Sequence, residues 1–281
     1  MRAYGIAALT VLMLITAGAT HYWMGNDDRK FASHATAPDG MAYIPGGTYE
    51  PLYETGTEDD SQQVEPFYIE RLPVTNAQYL EFVRANPRWQ RSNIPTVFSD
   101  DGYLSHWAGD TSFAPELADS PVINVSWFAA RAYADWKGMR LPTTAEWEVV
   151  AMASEELPAG MEDPAYRARI IDWYSRPRNA SDRSVGSVYE NHYGVWDMHG
   201  LVWEWVEDFN EGIVSADSRE NVDMDLKLFC GSGSIGAADV TDYAGFIRFA
   251  FRAGLEARYT VRSLGFRVAA DIPHILVEVS E

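Results

Sequence analysis

The sequence predicts a mixed α/β fold of the α+β kind, rich in loops. Three observations predict it. Short alternating apolar runs suited to strands are interleaved with helical periods of about ten residues. Twenty-one Gly and fourteen Pro break the chain into many turns. Ten Trp and fifteen Tyr call for flat, buried, partly polar packing rather than a helical bundle.

Taken in order, the chain opens with Arg2 followed by an apolar run over residues 3–19 that ends in the small residues Ala17, Gly18 and Ala19. This is the pattern of an export signal, and it approaches the length of a spanning helix. Residues 1–24 are therefore expected to be a signal peptide or a membrane anchor, with Tyr22 and Trp23 placed to sit at an interface. Export to a bacterial periplasm or envelope follows from either. Residues 25–40 are polar and without a hydrophobic period, and read as a linker. One domain is expected over 41–281.

Residues 41–49 read as a strand entering a turn at Pro45–Gly47, and residues 63–70 as a second strand. A helix is expected over 75–85, capped by Thr75, with Tyr79, Phe82 and Val83 on its apolar face and Pro87 beyond its end. Residues 86–120 show no period and read as a long ordered loop. Residues 121–125 read as a strand. Ser126 then caps a helix over 127–137, which Gly138 ends. A further helix is expected over 144–154, capped by Thr143 or Thr144, with Trp147 inward and Glu146 and Glu148 favouring its positive start. The 155–179 stretch reads as an insertion with a faint helical signal over 164–173. Short strands and Gly-rich turns are expected for the remainder.

Charge excludes one class of function. The formal net charge is −19, and so acidic a chain repels nucleic-acid phosphates. A single cysteine, Cys230, allows no disulfide within the chain; it reads either as a small buried residue or as a functional thiol, the one candidate for a catalytic or intermolecular copper-binding group.

The densest stretch is 191–208 (NHYGVWDMHGLVWEWVED), with Trp196, Trp203 and Trp205 inside ten residues. Asp197 and Glu204 stand seven residues apart across a turn at Gly200. Two carboxylates so placed, with carbonyls at Gly200 and Val202, can close on a hard cation or simply form a hydrogen-bonded core corner. His192 and His199 flank the turn, where imidazoles either bind a metal or are hydrogen bonded.

Five blocks in order, at 41–49, 67–82, 121–151, 191–205 and 263–268, resemble the formylglycine-generating enzyme (sulfatase-modifying factor) family. The resemblance implies that family's loop-rich variant of the C-type-lectin fold over about 41–270. The segment 230–252 (CGSGSIGAADVTDYAGFIRFAFR) is most similar to the exported, nitrite-reductase-associated NirV branch. In that family two cysteines hold copper(I) for the oxidation of a substrate cysteine, because soft thiolates suit that ion. Counting back from Arg248 puts Ala244 at the second cysteine, and the first falls within 235–239, where there is none. Copper is thus not expected, and Cys230, placed before the turn, replaces neither thiol. The resemblance makes Asp197, Gly200, Val202 and Glu204 a structural calcium set, with Leu201 in place of the usual Asn. It places Trp203, Ser234, Ala244 and Arg252 along the reaction pocket, and makes Arg252 and Arg267 mostly structural. It implies an atypical member that binds an exported polypeptide and assists maturation of an envelope metalloenzyme, with nitrite reductase as the candidate. Two alternatives stand beside it: a divergent oxidase that makes formylglycine in a protein, and a lectin-like ligand-binding module.

Overall fold

A computed structural model describes residues 37–52, 61–174, 183–210 and 243–273. Residues 1–24, expected to be a signal peptide or anchor, lie outside the described residues, as do Cys230 and Ser234. Within them the chain is mixed α/β with short elements joined by ordered loops, as composition predicts.

The first expected strand is two strands, β1 (Met41–Ile44) and β2 (Gly47–Tyr49). Between them Gly46 has φ +81°, and a Cβ there would run into the Val64 carbonyl, so the turn requires glycine. The second is also divided, into β3 (Gln62–Val64) and β4 (Phe67–Glu70), because Pro66 supplies no N–H to a ladder. β2 pairs antiparallel with β3. β4 is the centre of a three-stranded antiparallel sheet, flanked by β1 and by β7 (Ala269–Asp271). Two further short strands, β5 (Trp203–Glu204) and β6 (Leu264–Gly265), pair in parallel.

Three helices follow their capping signals. α1 (Asn76–Ala85) starts in a capping box between Thr75 and Gln78. α2 (Trp127–Trp136) is capped by the Ser126 hydroxyl, which accepts from the Ala129 N–H. α3 (Thr144–Ala151) is capped by Thr143, with Glu146 returning a bond to the cap backbone. The faint signal in the insertion is a full helix, α4 (Pro164–Tyr174). Where short strands and Gly-rich turns are expected, the structure has a further helix, α5 (Tyr243–Ala253). Its buried Ala244 and Arg248 are four residues apart, and Arg252 follows at the same interval, which is one helical face.

One expected strand is absent. Pro121 makes only an isolated bridge to Thr75, and residues 122–125 belong to no strand. Asn124 takes a left-handed φ of 54°, which breaks the extended run. The stretch is nevertheless fully enclosed: Val122 N–H donates to the Val74 carbonyl, Asn124 N–H to that of Val261, and Trp205 Nε1 to that of Val125.

One buried side chain ties the long loop 86–120 to α1. Asn76, 1% exposed on the first turn of α1, donates through Nδ2 to the carbonyls of Leu117 and Ser120. Its Oδ1 accepts from Trp107 Nε1 at 2.7 Å and from His106 Nε2 at 2.9 Å. An amide can only accept at that oxygen, so His106 carries its proton on Nε2. Burial holds that imidazole down to about 4, hence neutral. The core beside it is aromatic: Tyr79, Phe82, Tyr133 and Phe266 meet at centroid distances of 5.3–6.1 Å.

Candidate functional site

Of the four expected pocket residues, Trp203 on β5 and Arg252 on α5 lie near each other and near α3, whereas Ala244 packs against α4 and Ser234 is outside the described residues. Trp203, half-buried on β5, stacks on Phe251 of α5 with ring centroids 4.1 Å apart and an angle of 19°. Tyr174, at the end of α4, closes on Trp203 at 5.2 Å. Below these rings lies a buried charge cluster. Glu148 on α3 is 5% exposed and accepts from Arg248 Nε at 2.9 Å and Nη2 at 2.8 Å. Arg252 Nη1 donates to the same carboxylate at 2.7 Å and lies over the Trp147 ring.

The position of Glu148 corrects one expectation. It lies beyond the first helical turn, whose only acidic residue is Glu146, so it does not serve the helix start. It neutralises two arginines instead. Burial alone would push its carboxyl up, but Arg248 and Arg252 outweigh that and hold it at about 2. The same cluster governs its neighbours. Burial first, then the Glu148 charge, holds the Tyr49 hydroxyl of β2 well above its usual range.

Ala244 is 1% exposed and packs among Tyr166, Ile170 and Tyr189. Its methyl group is thus part of an apolar cluster between α4 and α5. The cluster that carries the charge of this region, Glu148 with Arg248, was not among the sequence candidates. The signal that could have found it was the spacing of Ala244, Arg248 and Arg252, once read as one face of a helix.

The corner at 191–208 is built from buried polar pairs. Glu204 accepts from Arg267 Nε at 2.8 Å, from Arg267 Nη2 at 2.7 Å and from Trp147 Nε1 at 2.8 Å. Both side chains of the Glu204–Arg267 pair are wholly buried. Arg267 also donates to the carbonyls of Trp196 and Glu70. Asp197, with φ 61° and no exposure, accepts from the backbone N–H groups of Gly186 and Val188. Gly200 has its carbonyl at 3.3 Å from Arg183 Nη1. Val202 is buried against Ile123 and Leu201. The carboxylates expected to hold calcium therefore face N–H donors.

His199 is buried, with Nε2 at 2.9 Å from the Ala151 carbonyl and Nδ1 at 3.1 Å from the Tyr174 hydroxyl. The carbonyl fixes the proton on Nε2, so Nδ1 accepts from Tyr174. Burial and the nearby Arg248 hold this imidazole at about 3, permanently neutral. Both ring nitrogens are engaged, which leaves no lone pair for a metal. His192 Nδ1 meets the Glu156 carbonyl at the surface.

Comparison with known proteins finds relatives over most of the chain. The Sulfatase-modifying factor enzyme 1-like domain matches residues 28–272. The formylglycine-generating enzyme of Streptomyces coelicolor is 29% identical over 295 aligned positions, covering 85% of this chain and 92% of that protein. A mouse protein named inactive C-alpha-formylglycine-generating enzyme 2 is 27% identical over 261 positions, covering 77% of this chain and 81% of that protein. The serine/threonine-protein kinase pkn1 of Chlamydia pneumoniae is 30% identical over 177 positions; these cover 60% of this chain but only 28% of that kinase.

Proposed function

The chain belongs to the sulfatase-modifying factor enzyme 1-like family, and from that premise we propose that it serves as an exported accessory factor without copper–thiolate chemistry. It binds a partner polypeptide and assists maturation of an envelope metalloenzyme, with a nitrite reductase of the kind associated with the NirV branch as the candidate. On this reading the architecture is the C-type-lectin-like one of the formylglycine-generating enzymes.

One observation carries the loss of chemistry. Ala244, where the resemblance puts the second thiol, is a buried methyl group in an apolar cluster. A methyl group cannot ligate copper(I), and a lone Cys230 supplies at most one thiolate. The surrounding polar groups support the same reading, because Arg248 and Arg252 are bound to Glu148 rather than left to meet a substrate. One family member bears the name inactive, which fits a fold retained after its oxidase chemistry is gone.

The test uses the full chain. Copper(I) titration with a competing chelator, and incubation with a Cys-x-Pro-x-Arg peptide under oxygen, are expected to give neither tight copper nor conversion. Affinity capture with the candidate metalloenzyme is expected to give a saturable complex. Peptide conversion that depends on Cys230 would sink the proposal in favour of a divergent oxidase. Saturable glycan binding unaffected by Cys230→Ser, with no complex formed, would favour a lectin-like module.

A further inference from the structure

We infer that the corner at 186–204 is closed by guanidinium and amide donors in place of a calcium ion, with Arg267 supplying the positive charge. The inference rests on where three of the four expected ligands point. Calcium takes six to eight oxygens, which must converge on one centre with their lone pairs free. Glu204 has both oxygens engaged by Arg267, and one of them also by Trp147. Asp197 has one oxygen on the Gly186 amide and the other on the Val188 amide. The Gly200 carbonyl faces a second guanidinium, that of Arg183. Leu201, 3% exposed, contributes an apolar side chain where the family resemblance calls for a carboxamide.

A divalent cation entering here would have to displace Arg267 from Glu204. That guanidinium has nowhere to go. Its side chain is 0% exposed, and its other donors are fixed on the carbonyls of Glu70, Arg71 and Trp196, which belong to β4, the residue after it and the central turn. Moving it would strand a buried positive charge beside a newly bound one. The same geometry explains how the corner stays shut. Arg267 ties the turn at 196–204 to the central strand β4, and Asp197 ties it to the loop at 186–188, so each of the two carboxylates fixes one side of the turn.

Local hydrogen exchange tests this on the wild-type chain. Deuterium uptake by peptides spanning 186–206 is compared in about 1 mM calcium and in excess chelator. Equal uptake is expected; slower exchange in calcium, confined to these peptides, overturns the inference. Metal analysis of the gel-filtered wild type and of Asp197→Ala, whose side chain offers no ligand oxygen, separates a calcium bound elsewhere. No calcium, or the same amount in both proteins, supports the inference. One calcium per wild-type chain that Asp197→Ala loses overturns it.

Discussion

Single buried charges set much of this protein's response to mutation and pH. Arg267→Met removes one half of a wholly buried ion pair and leaves Glu204 uncompensated. The expected loss is about 3–5 kcal/mol, read from urea unfolding of wild type and variant. Two glutamates make opposite predictions for pH. Glu148 titrates at about 2 in the fold against a usual 4.5, so its contribution is full above the usual value and is lost as pH falls through the lower one. Glu148→Gln is expected to flatten the acid limb of the stability curve while lowering stability at neutral pH. Glu70 is the reverse case. Burial raises its carboxyl to about 7, and its Oε2 has no hydrogen-bond partner. Its contribution is full below the usual 4.5 and fades as pH rises through 7. Glu70→Gln should therefore gain on the wild type as pH rises from about 5 to about 8, seen as a growing difference in Tm. A difference that stays constant with pH would refute that assignment.

Among the elements, legibility followed locality. The starts of α1, α2 and α3 were readable because a cap and its partner lie three residues apart, at Thr75–Gln78, Ser126–Ala129 and Thr143–Glu146. Thr143→Ala is expected to cost about 1 kcal/mol, measured by chemical denaturation, since it frees the Glu146 N–H and loosens the returning bond. The two divided strands were foreshadowed by Pro66 and by the Pro45–Gly46–Gly47 turn, but not their assignment to different sheets. Gly46→Ala puts a Cβ against the Val64 carbonyl at a positive φ, and a loss larger than that of Thr143→Ala is expected in the same measurement. α5 was missed because its apolar residues are punctuated by arginines that look solvent-facing. They are buried only because Glu148 waits for them on another helix.

For the whole molecule, a net charge of −19 stands beside ion pairs that, at Glu148–Arg248 and Glu204–Arg267, are buried. Surface repulsion is screened by salt, whereas the buried pairs are shielded from it. Raising ionic strength from about 0.01 M to about 0.5 M is expected to raise Tm, and a fall would show that surface pairs dominate stability. The same internal pairs join distant parts of the chain. Glu148 and Arg248 are 100 residues apart, and Glu204 and Arg267 are 63. Each ties an element near the middle of the chain to one near its end.

The sequence by itself determined the mixed, loop-rich class, the capped helices, the density of the 191–208 corner and the absence of a second thiol. These depend on composition, on neighbours a few residues apart, or on a residue type simply being present. Only the tertiary structure decided which carboxylate meets which donor. Asp197 and Glu204 are equally good ligands or acceptors in a string of letters. Burial forces each to find a partner, and the chain path that brings Arg267 to Glu204 and the 186–188 amides to Asp197 exists only in three dimensions.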